Sequence, residues 1–169
     1  MNKENAICVH LTCLHEAAKI PAYAHVSDAG MDLYASESVV LHPGETKLVH
    51  TGIALAIPDG YEAQIRPRSG LSLNTMLRIP NSPGTIDSGY RDEVCIILHN
   101  ASFLPSTEPD RVLTLSEKTN RHGTYRIEKG DRIAQMIFAG YAKAKIQIVD
   151  DVSQIGDNRQ GGFGSTGVQ

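Results

Sequence analysis

Short runs in which hydrophobic and polar residues alternate recur along this chain, and they predict a protein built mainly of β-strands. Turns rich in glycine and proline separate the runs, for example at 42–45 and 58–60. We predict strands over 6–11, 31–35, 38–41, 46–50, 52–57, 61–66, 93–99, 112–115, 124–127, 133–139 and 143–149. Strands at this spacing are typical of an all-β, jelly-roll-like sandwich or barrel.

Several of these segments carry more specific predictions. Residues 93–99 have apolar side chains on both faces, which predicts a strand buried on both sides. The segments 124–127 and 133–139 are predicted to pair as a hairpin, and 143–149 is predicted to close the sheet. Little helix is expected, and 71–77 is the one short candidate, because no long segment repeats with a period of 3.6 residues.

The length of 169 residues suits one domain, which we place at 1–155. Residues 101–123 are polar and too long for a hairpin loop, so we predict a surface excursion there. The end of the chain, 156–169, contains five glycines. We interpret it as a flexible lid that orders over a ligand, because Phe163 stands alone among those glycines.

Charge and cysteine content narrow the class of protein. The chain has 16 basic and 19 acidic residues and a net charge of −3, which does not fit a non-specific nucleic-acid binder. No apolar run approaches the roughly 18 residues of a membrane span, and the N-terminus lacks an apolar signal core, so we predict no membrane segment and a cytoplasmic location. Three cysteines without C-x-x-C spacing predict reduced thiols.

The stretch from Arg68 to Tyr90 combines residue types that suit a nucleotide. Arg68 and Ser69 offer a guanidinium and a hydroxyl, and Gly70 lets backbone N–H groups approach a phosphate. A proline–glycine turn follows and can present its backbone to a flat ligand. Asp87 then offers a carboxylate and Tyr90 an aromatic face. Each feature alone is weak, but together they indicate a nucleotide site.

Five separated segments resemble, in order, the five motifs of the trimeric deoxyuridine triphosphatases, or dUTPases. They lie at 28–35, 67–72, 84–91, 130–136 and 161–167, and so extend over most of the chain. The resemblance implies a jelly-roll subunit, a homotrimer with sites shared between subunits, and a Mg²⁺ ion. It also implies hydrolysis of dUTP to dUMP and pyrophosphate, which would limit dUTP and supply dUMP for thymidylate synthesis.

The resemblance further implies a role for individual residues. Asp87 would activate the water that attacks the α-phosphorus, and Asp32 would support the metal through water. Asn81 and the turn after it would read the uracil edge. The residues implied in substrate binding are Arg68, Ser69, Gly70, Asn81, Gly84, Thr85, Ile86, Tyr90, Gln135, Arg159, Phe163, Gly164, Ser165 and Thr166.

The chain departs from the family pattern in three places. Gly89 and Asp92 stand where the third motif more often has aspartate and glycine. Arg159 lies four residues before Phe163 instead of five. The excursion at 101–123 is longer than the usual connection.

Two other functions stay open at this point. A deoxycytidine triphosphate deaminase of the same fold would need a general acid/base beside the cytosine ring. A non-catalytic nucleotide-binding or regulatory relative would need no catalytic carboxylate. The intact Asp87 and Tyr90 favour the hydrolase.

Overall fold

The computed structural model describes residues 6–103 and 109–157. Within them the strands are β1 (His10–Cys13), β2 (Ala22–Tyr23), β3 (Met31–Tyr34), β4 (Val39–Leu41), β5 (Thr46–Ala56), β6 (Tyr61–Arg66), β7 (Leu77–Arg78), β8 (Gly84–Ile86), β9 (Glu93–Asn100), β10 (Val112–Thr114), β11 (Thr124–Ile127) and β12 (Arg132–Gly140). The helix α1 spans Ser69–Asn74, and a 3₁₀ turn spans Val152–Gln154. No helix in these ranges has the length and apolar character to cross a bilayer.

The strands form three sheets around one core. Their orders are β2-β3-β12-β6-β8, β1-β5-β9-β7 and β10-β11-β4. Neighbouring strands are antiparallel except β10 and β11, which are parallel. All three sheets contribute core side chains, among them Leu33, Ile65, Val49, Ile96 and Ile127. The prediction of an all-β fold with little helix is confirmed.

Strands β5 and β9 form the longest pairing in the molecule. The two strands predicted at 46–50 and 52–57 are one strand, β5, with an irregularity in its pairing between His50 and Ala54. Gly52 lies inside this irregularity with φ +72°, a conformation that glycine adopts without strain. Burial alternates along β9, so one face is fully buried and the face with Cys95 and Ile97 is half-buried.

The predicted hairpin of β11 with β12 is wrong. The turn between them exists, because the Asp131 N–H donates to the Glu128 carbonyl at 3.0 Å. However, β11 pairs with β4 and β10, while β12 pairs with β3 and β6. Ala35 holds the turn from the other side, since it accepts from the Gly130 N–H and donates to the Asp131 carbonyl. The turn therefore moves the chain from one sheet to another.

The strand predicted at 143–149 is absent from the described chain, where these residues pair with no sheet. Ile146 and Ile148 are 83% and 94% exposed. Apolar and polar residues do alternate in this segment, but in the described part of the chain no strand pairs with it and its isoleucines stay exposed. We call residues 141–149 the C-terminal arm.

Two predicted boundaries also shift. The first strand is His10–Cys13 rather than 6–11, because it pairs with residues 53–56 of β5. The helix predicted at 71–77 ends at Asn74, where Thr75 takes an extended backbone and donates its hydroxyl to the Leu71 carbonyl at 2.7 Å. Leu77 then begins β7.

The described ends of the 101–123 excursion are fixed by Asn100, which is fully buried at the end of β9. Its amide nitrogen donates to the carbonyls of Leu41 and Gly123 at 2.9 and 2.8 Å. Its amide oxygen accepts from the Ser102 N–H at 3.0 Å. The strand predicted at 112–115 is present as β10.

We expect Asn100→Ala to lower the free energy of unfolding by about 1–3 kcal/mol, because it leaves buried carbonyls without a donor. Asn74→Ala is the matched control, since the Asn74 side chain makes one exposed hydrogen bond, and we expect it to cost less than about 1 kcal/mol. Urea unfolding measures both. Equal stability of the two variants would contradict this account of the excursion.

Candidate functional site

A pocket of about 410 Å³ lies at one end of strands β3, β12 and β6, which are adjacent in that order in the five-stranded sheet. We call it the anion pocket. Three sequence segments that resemble dUTPase motifs contribute Asp28, Asp32, Arg68, Ser69, Gly70 and Gln135 to its lining, and Arg66 joins them from just before the second segment. The structure thus brings together four of the predicted phosphate-binding residues and the predicted metal-supporting aspartate.

Asp32 fixes the position of Arg68 in this pocket. Its Oδ1 accepts from Arg68 Nε at 2.8 Å, and its Oδ2 accepts from Arg132 Nη1 at 3.2 Å. The Asp32 side chain is only 13% exposed, so a guanidinium pair offsets the cost of burying its charge. Because the bond uses Nε, the two terminal nitrogens of Arg68 stay available to an anion. The metal role of Asp32 stays a prediction.

Gln135 is held between two backbone segments. Its Nε2 donates to the Pro67 carbonyl at 2.9 Å. A Cβ placed on Gly30 would lie 2.7 Å from Gln135 Oε1, so only glycine leaves this side chain its place. Gly30 was part of a recognised motif, but its role as a packing partner of Gln135 could not be found from the sequence.

Arg66 also lines the anion pocket and was missed by the sequence analysis. Its Nε donates to Gln64 Oε1 at 3.2 Å, which orients the guanidinium along the strand. The available signal was the Arg-Pro-Arg run at 66–68, which places a second basic residue two positions before Arg68. Asp28, which also lines the pocket, stabilises a local turn: its carboxylate accepts from the His25 N–H at 2.8 Å.

A second group of predicted residues surrounds β8. This strand is at the edge of its sheet, and it pairs with β6 through Gly84 opposite Ile65 and Ile86 opposite Ala63. An edge strand presents unpaired N–H and C=O groups, which are the groups that the edge of a pyrimidine needs. The Asn81 amide lies over the start of β8, 3.2 Å from where a Cβ on Gly84 would be.

The turn after β8 carries Asp87, the predicted general base, and Tyr90, the aromatic residue of the predicted nucleotide site. Both Asp87 and Tyr90 are exposed. The Tyr90 N–H donates to the Asp87 carbonyl at 3.1 Å, and its hydroxyl donates to the Glu93 carbonyl at 2.9 Å. Desolvation, together with nearby Asp92, raises the pKa of Tyr90, so the phenol stays neutral and keeps this bond. The backbone of the turn thus places a carboxylate and a ring side by side.

The two groups do not meet within one chain. Arg66 lies opposite Gln135 at one end of β6, whereas Ile86, next to Asp87, lies opposite Ala63. Neither Asp87 nor Tyr90 lines the anion pocket. The predicted residues at the end of the chain lie outside the described residues; they are Arg159, Phe163, Gly164, Ser165 and Thr166.

The sequence model of the dUTPase family matches residues 16–104 and 118–167 of this chain. The chain belongs to the dUTPase family. It is 42% identical to the deoxyuridine 5'-triphosphate nucleotidohydrolase of Alkaliphilus metalliredigens, over 92% of this chain and 94% of the relative. It is 44% identical to the enzyme of the same name from Crocosphaera subtropica, over 92% of this chain and 95% of the relative.

Solved structures of phage dUTPases share the fold. The chain superposes on a mutant dUTPase of Staphylococcus bacteriophage 80alpha with dUpNHpp at a TM-score of 0.86, with 30% identity, 96% of this chain and 100% of the other covered. A mutant dUTPase from phage phi11 of S. aureus, described for its structural Mg(II) ion, superposes with a TM-score of 0.78 and 30% identity. The superposition covers 86% of this chain and 98% of the other. These likenesses confirm the jelly-roll-like dUTPase fold.

The part of the excursion from 105 to 117 has no counterpart in the dUTPase family model. This gap in the match falls inside the excursion that we predict to be longer than the usual connection. A species-specific insert is also described for the phage phi11 dUTPase, to which this chain is 30% identical with a TM-score of 0.78. In this dUTPase family member, the excursion starts directly after Asn100, outside the five motif-like segments.

We expect Gly30→Ala to weaken binding of the analogue dUpNHpp about tenfold or more, because the added methyl group displaces Gln135 from Pro67. Tenfold corresponds to about 1.4 kcal/mol, the scale of one hydrogen bond. Isothermal titration calorimetry measures the affinity. Gly140→Ala is the control, since a Cβ there meets nothing closer than 3.7 Å. If Gly30→Ala binds dUpNHpp with unchanged affinity, Gln135 does not contribute to nucleotide binding.

Proposed function

We propose that this protein hydrolyses dUTP to dUMP and pyrophosphate. The observation that carries the proposal is the family match over both groups of site residues, joined by relatives above 40% identity that bear the name deoxyuridine 5'-triphosphate nucleotidohydrolase. The same relatives do not favour the deaminase. The exposed carboxylate of Asp87 beside Tyr90 argues against a relative that has lost catalysis.

In the proposed mechanism Asp87 is the general base. Its exposed carboxylate can accept a hydrogen bond from a water molecule and take the water's proton as the oxygen attacks the α-phosphorus. A new P–O bond forms, the bond from the α-phosphorus to the bridging oxygen breaks, and pyrophosphate leaves with that electron pair. Asp87 then returns the proton to solvent. Positioning and charge stabilisation supply most of the remaining catalysis in phosphoryl transfer.

Base and sugar selection would come from the edge strand and its flanking turns. The backbone groups on the outer edge of β8, which spans Gly84, Thr85 and Ile86, would offer donors and acceptors to the uracil edge together with the Asn81 amide. A thymine methyl group would clash in so close a turn. The Tyr90 ring, held by its hydroxyl bond to the Glu93 carbonyl, would occupy the space of a ribose 2′-hydroxyl.

The anion pocket would bind the triphosphate. Arg68 offers two terminal nitrogens, Ser69 a hydroxyl, and Gly70 an exposed backbone N–H. The main role of Asp32 would be to orient the Arg68 guanidinium toward the phosphates. A magnesium ion fits the pocket through the substrate's own phosphate oxygens and water, because Mg²⁺ prefers oxygen ligands and keeps several waters. Its charge would neutralise the phosphates, and Asp32 and Asp28 are the carboxylates of the pocket lining that would accept from its waters.

We further propose a homotrimer in which each site is shared between subunits. The separation between the anion pocket and Asp87 within one chain supports this arrangement. Along β6, the position of Arg66 is four residue steps, or about 13 Å of strand, from that of Glu62, whose register lies next to Asp87. The exposed isoleucines of the C-terminal arm also support assembly, because an alternating segment without a partner in its own described chain can pair with a neighbour. A third chain would contribute 156–169.

We expect Asp87→Asn to lower kcat by about 10²–10⁴-fold while dUTP still binds, because the amide keeps the shape but cannot take a proton. Pyrophosphate release gives kcat, and calorimetry with dUpNHpp gives binding. Asp92→Asn removes a carboxylate from the same exposed turn and should leave kcat nearly unchanged. If Asp87→Asn keeps more than about a tenth of wild-type turnover, the base is another residue.

We expect Tyr90→Ala to admit UTP, because the ring that blocks the 2′-hydroxyl is removed. The measurement is the ratio of kcat/KM for dUTP over kcat/KM for UTP. Tyr90→Phe keeps the ring and loses only the bond to the Glu93 carbonyl, so it should retain most of the discrimination. A ratio in Tyr90→Ala that equals the wild-type ratio would place sugar selection elsewhere.

A further inference from the structure

A cluster of three potential metal ligands lies on the half-buried face of the four-stranded sheet, outside both groups of site residues. His50 on β5 is directly opposite Cys95 on β9, and Glu93 is two residues before Cys95 on the same face. His50 Nδ1 lies 2.7 Å from Glu93 Oε2 and 3.5 Å from Cys95 Sγ. One ligand atom from each of the three residues lies within 4.8 Å of the others.

Backbone geometry fixes the carboxylate in this cluster. Glu93 Oε1 accepts from the Gly52 N–H at 2.6 Å, which leaves Oε2 for His50. Gly52 makes this bond from the irregularity in β5, and irregularities of this kind re-aim neighbouring side chains. The His15 ring packs over Gly52, since a Cβ there would be 2.7 Å from its Cε1. The arrangement is therefore supported from two strands and from the segment after β1.

We propose that His50, Glu93 and Cys95 form a binding site for a divalent transition metal ion such as Zn²⁺. Nitrogen, oxygen and sulfur ligands together suit zinc and cobalt, whereas Mg²⁺ takes oxygen ligands alone. Zinc bonds of about 2.0–2.3 Å place tetrahedral ligands roughly 3.3–3.8 Å apart. The Nδ1–Sγ distance already falls in this range, and the Nδ1–Oε2 distance would widen as the ion replaces the shared hydrogen.

Binding of the metal ion at this cluster requires no oxidant or reductant, because only a proton is exchanged. Burial, followed by the charge of Glu93, raises the pKa of Cys95 to about 11, so the metal-free residue is a thiol at neutral pH. The ion displaces the thiol proton to solvent and bonds the thiolate. Water would complete the coordination. Glu37 contributes a further negative charge near His50, which favours a cation at this face.

The test uses the full-length protein with Cys8→Ser and Cys13→Ser, which leaves Cys95 as the single thiol of the chain. After removal of metal with a chelator, the protein is titrated with cobalt(II) in the absence of nucleotide. We expect one cobalt per chain, a near-ultraviolet thiolate-to-cobalt band, and loss of that band on adding excess Zn²⁺. Zinc should also raise the melting temperature, because it binds the folded state.

The band should disappear in Cys95→Ser and in His50→Gln, and it should persist in His99→Ala, a histidine on the same face of the same sheet. Circular dichroism checks that each variant folds, and Cys95→Ala replaces Cys95→Ser if the serine variant does not. No thiolate band in the parent, or cobalt binding that survives the loss of both Cys95 and His50, would overturn the proposal. In that case the cluster is an ion pair beside a half-buried thiol.

Discussion

Strand β6 pairs with β12 along one edge and with β8 along the other, and the chemistry of this protein depends on that arrangement. The pairing with β12 builds the anion pocket, because it places Gln135 opposite Arg66. Arg68 follows Arg66 by two residues and lines the same pocket. The pairing with β8 places Asp87 near the other end of the same strand. A rigid strand cannot bring its two ends together, so the groups that we propose to bind phosphate and to activate water stay apart within one chain.

Asp32 shows how the fold positions a binding residue with charge. It joins Arg68 and Arg132, which are far apart in sequence, through a carboxylate that is mostly buried. Such a pair contributes little to stability once the cost of desolvation is counted. Its value lies in orientation, because it consumes Nε of Arg68 and leaves the other guanidinium nitrogens for the substrate. Removing Asp32 would leave Arg68 free to leave the pocket.

Local patterns in the sequence were enough to predict much of the fold. Strands β6 and β11 have the predicted bounds, since alternation and glycine-containing turns act within a few residues. Pairing between distant segments could not be predicted, because the turn at Glu128 is compatible with a hairpin and with a change of sheet. The C-terminal arm was misassigned for a related reason: its alternation is a local property, but its partner must come from elsewhere.

The motifs predict the residues of the candidate site one by one, but they do not predict how these residues pack against each other. Contacts such as Gly30 with Gln135 join positions about a hundred residues apart and depend on the register of β3 against β12. The pairing of His50 with Cys95 likewise depends on the register of β5 against β9. Single-sequence patterns contain no information on register between strands that are far apart in the chain.

The central claim, that one site draws on more than one chain, is tested most directly by mixing two inactive variants. Arg68→Ala chains carry an intact Asp87, and Asp87→Asn chains carry an intact Arg68. The two are unfolded, refolded together in equal amounts, and assayed for pyrophosphate release, with mixed oligomers verified by native mass spectrometry. If the halves come from different subunits, activity returns to about a quarter of wild type, because each site draws its two halves independently. If verified mixed oligomers stay as inactive as their parents, each site takes both halves from one chain and the account is contradicted.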